Sequence, residues 1–177
     1  MIITTPLTDD VIKSLKVGEM VYLTGYIYTA RDAAHKRLVE LIDKNEPLPF
    51  DPQGQIIYYV GPCPNRPGSI IGSAGPTTST RMDAYSPTLI HNNLKAMIGK
   101  GQRSKSVKDA VLNYGGIYFV AIGGAAALMS KTIKKVELIA FEDLATEAIR
   151  RFYVEKMPVI VALDTYGNDI YNNGNDV

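Results

Sequence analysis

One short stretch of the sequence combines hydroxyl groups with a cation in a pattern that suits anion binding. Gly75 and Pro76 are followed by four consecutive hydroxyl residues, 77–80, and then by Arg81. Because Gly-Pro ends any preceding helix, the hydroxyls fall where a new helix begins, beside free backbone N–H groups and the positive end of the helix dipole. Arg81 can hold a carboxylate or phosphate through two parallel hydrogen bonds. The pattern predicts an anion-binding helix start, and the alternative is an ordinary capped helix with a surface arginine.

A second basic residue, Arg31, stands where another strand is predicted to run into a helix. Residues 20–28 alternate with a period of two, which predicts a strand. Thr29 is then placed to cap the following helix, with Asp32 as the acid of a short capping box. Arg31 could bind a ligand here or pair with a nearby acid. His35 lies one helical turn further on and shares the face of Arg31, and we favour a buried or boundary imidazole whose hydrogen bonds are satisfied.

Lys100 is the third candidate cation. It stands between Gly99 and Gly101, at the end of a short apolar run over residues 94–98. Glycine neighbours let a ligand approach the backbone closely, whereas the alternative is a turn lysine in water. Basic residues follow several predicted strands, and ligands of open α/β sheets usually bind at such strand ends.

Strands and helices alternate along the chain, which predicts a single α/β domain over residues 1–177. The predicted strands cover residues 20–28, 56–60, 94–98, 117–122, 136–140 and 159–164. The predicted helices cover residues 8–17, 29–42, 82–92, 105–113, 125–130 and 142–149. The helix over residues 82–92 is expected to restart at Ser86-Pro87, since proline is well tolerated as a first helical residue.

The bulk composition excludes several classes of function. The chain has 177 residues, 46% hydrophobic and 21% charged, and a formal net charge of +1, which gives no footprint for nucleic acid. Its one cysteine, Cys63, excludes an internal disulfide and a cysteine-based metal site built from this chain alone. Cys63 has no base or metal-ligand spacing around it, which favours an inert thiol. No membrane segment is expected, because no window reaches the roughly 18 apolar residues required.

Several blocks of the sequence resemble the β part of the iron–sulfur-dependent hydro-lyases, the family of class I fumarate hydratase and L-tartrate dehydratase. The longest block is residues 75–83, and the others follow in matching order along nearly the whole chain. They are residues 22–25, 31–35, 59–62, 100–101, 123–124 and 164–168. Several separate blocks in the right order argue against coincidence.

The resemblance implies a fold, a reaction and a set of site residues. The fold is the swivelling β/β/α domain, a mixed sheet with flanking helices, and the reaction adds or removes water across a carbon–carbon double bond of a dicarboxylic acid. The same resemblance implies five substrate-binding residues, and Thr77 among them is the proposed general base. They are Arg31, Thr77, Thr78, Arg81 and Lys100. An unassisted threonine hydroxyl is a poor base, so a neighbouring cation such as Lys100 or Arg81 has to lower its pKa.

The resemblance also implies a cofactor that this chain does not carry. In the family, three cysteines of another part of the enzyme hold a [4Fe–4S] cluster, whose open iron polarises the leaving hydroxyl as a Lewis acid. With one cysteine, in none of those positions, this chain is expected to be a β subunit that is active only with a separate α subunit. The expected assembly is a hetero-oligomer of two α and two β subunits. A cytoplasmic enzyme of the tricarboxylic acid cycle is the corresponding expectation.

Two substrates and one unrelated function stay open. Residues 31–35 are closer to the fumarate hydratase pattern, which favours fumarate and L-malate over L-tartrate. A stand-alone anion-binding module that kept the fold and lost the enzyme is the alternative from another class. The retention of Thr77 together with Arg31, Arg81 and Lys100 argues against such a module, because a protein without catalysis would not need a hydroxyl beside three cations.

Overall fold

The computed structural model describes residues 1–62, 67–68, 70–72, 74–122 and 126–172, and these ranges form a mixed α/β structure. The strands are β1 (Ile2–Thr4), β2 (Met20–Thr29), β3 (Ile56–Tyr58), β4 (Ala96–Gly99), β5 (Ile117–Ala121), β6 (Ile133–Ala140) and β7 (Ile149–Leu163). The α-helices are α1 (Asp9–Ser14), α2 (Asp32–Asp43), α3 (Ser86–His91), α4 (Lys105–Tyr114) and α5 (Ala126–Thr132). Two 3₁₀ segments cover Ser79–Met82 and Glu142–Glu147. The predicted mixed sheet with flanking helices is confirmed.

The seven strands form one sheet in the order β1-β2-β3-β4-β5-β7-β6, and a further pairing joins β2 to β7. The first five strands in that order run parallel to their neighbours, whereas β7 is antiparallel to β2, β5 and β6. The β2–β7 pairing closes a circuit of five strands, β2-β3-β4-β5-β7. Because β2, β3, β4 and β5 point the same way, their carboxyl ends lie at one edge of the sheet, which we call the carboxyl edge.

The sheet separates two apolar clusters, because successive strand residues point to opposite faces. In β3, Ile56 and Tyr58 belong to one cluster, and Ile57 belongs to the other. Helices α2 and α4 cover the second cluster and contribute Leu38 and Val111 to it. Burial on both faces makes the central parallel strands a firm base for whatever lies at the carboxyl edge.

The largest difference from the predicted strands is β7, which spans Ile149–Leu163 and not residues 159–164 alone. Its first half carries Arg150 and Arg151, and such charged residues interrupt the apolar alternation that identifies a strand. This half nevertheless pairs with β2 on one side and with β6 on the other. Its extended form is fixed by its two partner strands and not by its own sequence.

One predicted helix is wrong in type, and another begins later than predicted. The helix expected over residues 142–149 is instead the 3₁₀ segment Glu142–Glu147, which is kinked at Ala145 with φ 54° and ψ −115°. The hydroxyl stretch opens a single 3₁₀ turn over Ser79–Met82, and an α-helix starts only at α3. The restart at Ser86-Pro87 is confirmed.

The predicted cap of α2 is also wrong. Thr29 ends β2, and the N-cap of α2 is Arg31, whose side chain makes no capping hydrogen bond. The Thr29 hydroxyl instead accepts a hydrogen bond at 3.1 Å from the backbone N–H of Arg150 in β7. The strand pairing therefore takes the oxygen that the sequence assigned to the helix.

Within the described ranges, no helix has both the length and the apolar character needed to cross a bilayer. Cys63, Gly123 and Gly124 lie outside the described residues. The single-domain organisation over residues 1–177 stays a prediction.

Candidate functional site

The predicted cations Arg31 and Lys100 lie at the carboxyl edge because each follows a parallel strand. Arg31 comes two residues after the end of β2, and Lys100 comes directly after β4. β3 lies between these two strands and leads towards Gly61. Since neighbouring strands are about 4.8 Å apart, the three strand ends place these residues in one small region.

The Arg31 side chain packs against the backbone at Gly61. A Cβ added to Gly61 would lie 2.9 Å from Nη1 and 3.0 Å from Cδ of Arg31, so glycine leaves the room that the guanidinium needs. The Nε of Arg31 is buried and has no hydrogen-bond partner among the described residues. Because a buried donor is normally satisfied by protein, water or a ligand, Arg31 has donor capacity to spare for an anion.

Arg81 reaches the start of α2 from the hydroxyl stretch. Its Nε and Nη2 lie 2.9 Å and 2.7 Å from Oδ2 of Asp32, the residue next to Arg31. The pair is open to solvent, with 52% of the Arg81 side chain and 32% of the Asp32 side chain exposed. Oδ1 of Asp32 is buried and unpaired within the described part of the chain. The Arg81–Asp32 contact thus brings Arg81 to the residue that follows Arg31, a contact that the sequence spacing does not reveal.

Backbone hydrogen bonds bring the hydroxyl stretch to the ends of β3 and β4. The Thr77 N–H donates to the Tyr59 carbonyl at 2.7 Å, and the Ser79 N–H donates to the Lys100 carbonyl at 2.9 Å. Thr78 and Lys100 form an isolated parallel bridge. Both residues are exposed, whereas Thr77 is half-buried. The stretch therefore extends the sheet at the carboxyl edge and holds Thr77 and Thr78 next to the end of the strand that leads to Lys100.

The predicted helix-start anion site takes another form. The turn that follows the hydroxyls is only four residues of 3₁₀ helix, and its N-cap, Thr78, makes no side-chain capping bond. A macrodipole sums over many aligned peptides, so one short turn contributes little positive potential. The positive charge of this edge comes from the side chains of Arg31, Arg81 and Lys100.

Ser79 fastens the hydroxyl stretch to the sheet. It is fully buried, and its Oγ lies 2.7 Å from the hydroxyl of Tyr118, which donates to the Gly101 carbonyl at 2.8 Å. A Cβ on Gly99 would lie only 1.9 Å from the Ser79 Oγ. Gly99 is therefore needed to make room for Ser79, a reason different from the ligand access that the sequence suggested.

Another arginine, Arg103, is buried near the site, and the sequence analysis did not single it out. Its Nε donates to Asp83 Oδ1 at 2.7 Å, and its Nη2 donates to the hydroxyls of Tyr59 at 3.1 Å and Ser86 at 2.8 Å. The guanidinium carbon also lies 5.2 Å and 4.7 Å from the ring centroids of Tyr59 and Tyr118. Although burial opposes its charge, Tyr59 and Asp83 raise the pKa of Arg103. These five residues are the Arg103 cluster.

His35 contacts both the Arg103 cluster and the carboxyl edge. Its fully buried ring lies with Nδ1 at 2.8 Å from the Arg31 carbonyl, and its centroid is 5.3 Å from that of Tyr59. Burial lowers the pKa of His35 to about 4, so the ring is neutral near pH 7 and its Nδ1–H donates to Arg31. The Nε2 has no partner in the described ranges. The prediction of a buried imidazole is confirmed, but only one of its two nitrogens is satisfied.

The five residues predicted to bind substrate thus all come to the carboxyl edge. They are Arg31, Thr77, Thr78, Arg81 and Lys100. Guanidinium groups suit carboxylates because their donors match the two carboxylate oxygens. An edge with two guanidinium groups, one ammonium and two hydroxyls can bind an anion that carries more than one negative group.

The cluster implied by the resemblance does not fit the residues of this chain. Three thiolates are needed, and the sequence has one cysteine. Among the described residues there is no group of three or more His, Cys, Asp or Glu side chains that could hold a metal ion. A cluster of this kind cannot be built from this chain alone.

Known proteins resemble this chain over nearly its whole length. Residues 1–174 match the family described as Fumarase C-terminus. A protein of Methanocaldococcus jannaschii named "Putative L(+)-tartrate dehydratase subunit beta" is 41% identical over 175 residues, which are 96% of this chain and 90% of that protein. "Fumarate hydratase class I, anaerobic" of Escherichia coli (strain K12) is 41% identical over 157 residues, and "Fumarate hydratase 2" of Leishmania major is 42% identical over 158 residues. Both matches cover 88% of this chain, but only 29% and 28% of the two fumarate hydratases.

Proposed function

The chain belongs to the fumarase C-terminus family, and on that premise we propose that it is the β subunit of a two-subunit, [4Fe–4S]-dependent hydro-lyase. The names of its relatives are those of hydro-lyases, and one relative is named a β subunit, which implies a partner subunit. In the proposed reaction, water adds to fumarate to give L-malate, or leaves L-malate in reverse. The chain is active only when an α subunit completes the site.

The observation that carries the proposal is the convergence of Arg31, Arg81 and Lys100 at the carboxyl edge. The first two are linked through Asp32, and the third is bonded through its backbone to the hydroxyl stretch. Fumarate and malate each carry two carboxylates, so two separate guanidinium groups supply one binding partner for each. The unpaired Nε of Arg31 supports this assignment, because it belongs to a guanidinium whose donors are not all used by the described residues.

In the proposed site, Arg31 and Arg81 orient the substrate and Thr77 moves a proton at the carbon next to a carboxylate. Thr77 is held by its backbone to Tyr59 and keeps a half-buried side chain. A threonine alkoxide needs positive charge nearby to form, and Arg81 or Lys100 is proposed to provide it. Thr78, which bridges to Lys100, adds a hydroxyl to the substrate side of the edge.

The cluster is proposed to belong to the α subunit. This chain has one cysteine, whereas three are needed, and Cys63 is in none of the ligand positions that the resemblance implies, so all three cluster cysteines are proposed to belong to the α subunit. The proposed assembly is a hetero-oligomer of two α and two β subunits in the cytoplasm. Size-exclusion chromatography with light scattering on the co-expressed subunits measures its composition.

L-Tartrate is the second candidate substrate. The specific observation in its favour is the match to a protein named a tartrate dehydratase β subunit, which this chain covers over 90% of its length. The sequence identity to that protein, 41%, equals the identity to the E. coli fumarate hydratase. Sequence identity therefore does not decide between fumarate and L-tartrate as the substrate. Residues 31–35 keep fumarate as the first choice.

The deciding experiment is an assay of water addition and removal under strict anaerobiosis. This chain is tested alone, then mixed with the candidate α subunit whose iron content has been measured, on fumarate, L-malate and L-tartrate. Activity that appears only on mixing supports the two-subunit enzyme, and the preferred acid identifies it. Absence of activity in the mixture, with the cluster of the α subunit intact, contradicts the proposed enzyme and favours the stand-alone anion-binding module. Binding of succinate to this chain alone would then test that module.

A further inference from the structure

One acidic side chain, Asp32, is bonded directly to a cation of the carboxyl edge. Its Oδ2 accepts a hydrogen bond from the Nε of Arg81 at 2.9 Å and lies 2.7 Å from Nη2 in the same ion pair. Asp32 is the first residue of α2 and follows Arg31 in the sequence. One carboxylate therefore stands at the junction of the two arginines that the proposed function assigns to the substrate.

The pair contributes little to stability. Both side chains are partly exposed, 52% for Arg81 and 32% for Asp32, and exposed ion pairs have small net free energies. A contact of this kind matters mainly for where it holds the arginine. Asp32 is itself firmly placed, because α2 buries Ala34 and Leu38 completely.

The geometry leaves the ligand-binding end of Arg81 available. The contact with Asp32 uses Nε and Nη2 and leaves Nη1 outside the pair. A guanidinium has five N–H donors in a fixed plane, so one carboxylate can bind along the Nε side while another binds end-on through Nη1 and the second hydrogen of Nη2. Asp32 then fixes the plane in which a substrate carboxylate is received.

We propose that Asp32 is a positioning residue that holds the Arg81 guanidinium beside Arg31 in the orientation that receives a carboxylate. This inference rests on the proposed function for its effect on turnover, but the contact itself can be tested without any activity. Without Asp32, Arg81 would sample many rotamers, and misplacement of a binding group by about 1 Å can cost on the order of 100-fold in rate.

The first test measures kcat/KM in the reconstituted complex. Asp32→Ala is expected to lower kcat/KM by about 10- to 100-fold while the Tm of this chain shifts by less than about 4 °C. Asp32→Asn keeps an oxygen that accepts from Arg81, so its loss is expected to be smaller. Asp143→Ala is the matched control, because Asp143 pairs with Arg37, which lies on α2 as Asp32 does. This variant is expected to leave kcat/KM unchanged.

A double-mutant cycle asks whether Asp32 acts through Arg81. Lysine has no planar fork to orient, so Asp32→Ala is expected to lower kcat/KM by less than about twofold in an Arg81→Lys background. An equal loss in both backgrounds would mean that Asp32 acts independently of Arg81 and would overturn the proposal. So would a wild-type kcat/KM for Asp32→Ala.

The second test needs no turnover. In ¹H–¹⁵N spectra of this chain, the Nε–H resonance of Arg81, assigned through its loss in Arg81→Lys, is expected to shift in Asp32→Ala and to stay in place in Asp143→Ala. An unmoved resonance in Asp32→Ala contradicts the positioning contact. If the resonance moves but the wild-type complex shows no activity on either acid, the contact stands and the proposed enzyme fails.

Discussion

Arg103 forms one set, and Arg31 and Arg81 form the other; the two sets lie close together in this molecule but differ in how far the protein satisfies their donors. Arg103 is 5% exposed and is surrounded by Asp83, Ser86 and the rings of Tyr59 and Tyr118. At the carboxyl edge, the Nε of Arg31 has no partner among the described residues, and more than half of the Arg81 side chain is exposed.

The difference separates a structural cation from binding cations of the same residue type. A buried charge is tolerated only when its donors are satisfied, and Arg103 meets that condition within the protein. Arg31 and Arg81 keep donors that the protein does not use. Tyr59 connects the two sets, since its hydroxyl accepts from Arg103 and its carbonyl accepts from Thr77.

The largest effect is expected for Arg81→Ala in the reconstituted complex. Removing a preorganised donor from an active site lowers turnover by about 1,000-fold, while the unfolding transition should hardly move because the Arg81–Asp32 pair is partly exposed. Anaerobic kinetics and a thermal melt of the same preparation measure both. Near-normal turnover would remove Arg81 from the site.

Arg103→Met should show the reverse behaviour. Removing one partner of a buried ion pair destabilises by about 3–5 kcal/mol, because Asp83, whose side chain is only 11% exposed, loses its counter-charge. Urea denaturation measures this free energy of unfolding. Arg37→Met is the control, since Arg37 pairs with Asp143 at the surface and should show little change. A stable Arg103→Met protein would contradict the structural role.

His35 lies between the two sets of arginines, and the pH dependence of the protein's stability tests its burial there. Burial, and to a smaller extent the charge of Arg103, lower the pKa of His35 to about 4, against contributions from the Arg31 carbonyl and Asp32 that raise it. The unfolded chain binds a proton near pH 6.5 and the folded chain does not, so stability is lost as the pH falls from 6.5 to 4, by about 3 kcal/mol. His35→Gln cannot bind that proton and should lose less over the same range. Equal slopes in urea titrations of both proteins would mean that the folded His35 titrates normally.

Gly99→Ala should disturb the attachment of the hydroxyl stretch. The new methyl group would meet the Ser79 Oγ, and crowding of this kind costs about 1–3 kcal/mol. Adding Ser79→Gly removes the side chain responsible and should restore part of the lost stability in the same denaturation assay. If the double variant is no more stable than Gly99→Ala, the strain comes from the neighbouring ring of Tyr59.

The smallest effect is expected for Cys63→Ser, a change at a position predicted to be inert. Iron content and turnover of the reconstituted complex should match the wild type, because this chain is proposed to supply no cluster ligand. Loss of iron in that variant would overturn both the inert thiol and the assignment of the cluster to the α subunit.

The sequence was sufficient for features that depend on local pattern. The strand over residues 20–28 and the restart at Ser86-Pro87 follow from periodicity and proline chemistry, and both are in the structure. The position of Arg31 and Lys100 after strands follows from the alternation of strands and helices, whereas the parallel pairing that brings the strand ends to one edge comes from the structure.

Features that depend on distant contacts could not be predicted. The first half of β7 is extended because β2 and β6 pair with it, and Thr29 serves that pairing and not the helix. The Arg103 cluster joins Asp83 to a residue 20 positions away. Its one available signal was Asp83 itself, the only acid in the hydroxyl-rich block of residues 75–83, and nothing in the sequence shows which cation meets it.

The closed circuit of strands also constrains how the chain is made. β2 pairs with residues up to Ile160, so its long edge stays open until β7, far along the chain, has been synthesised and has folded back. Contacts between such distant segments form slowly, and exposed strand edges invite association with other chains. During folding this chain therefore passes through a period in which the strand that leads to Arg31 has apolar faces but no antiparallel partner, and that interval is when a chaperone, or an early encounter with the proposed partner subunit, would matter most.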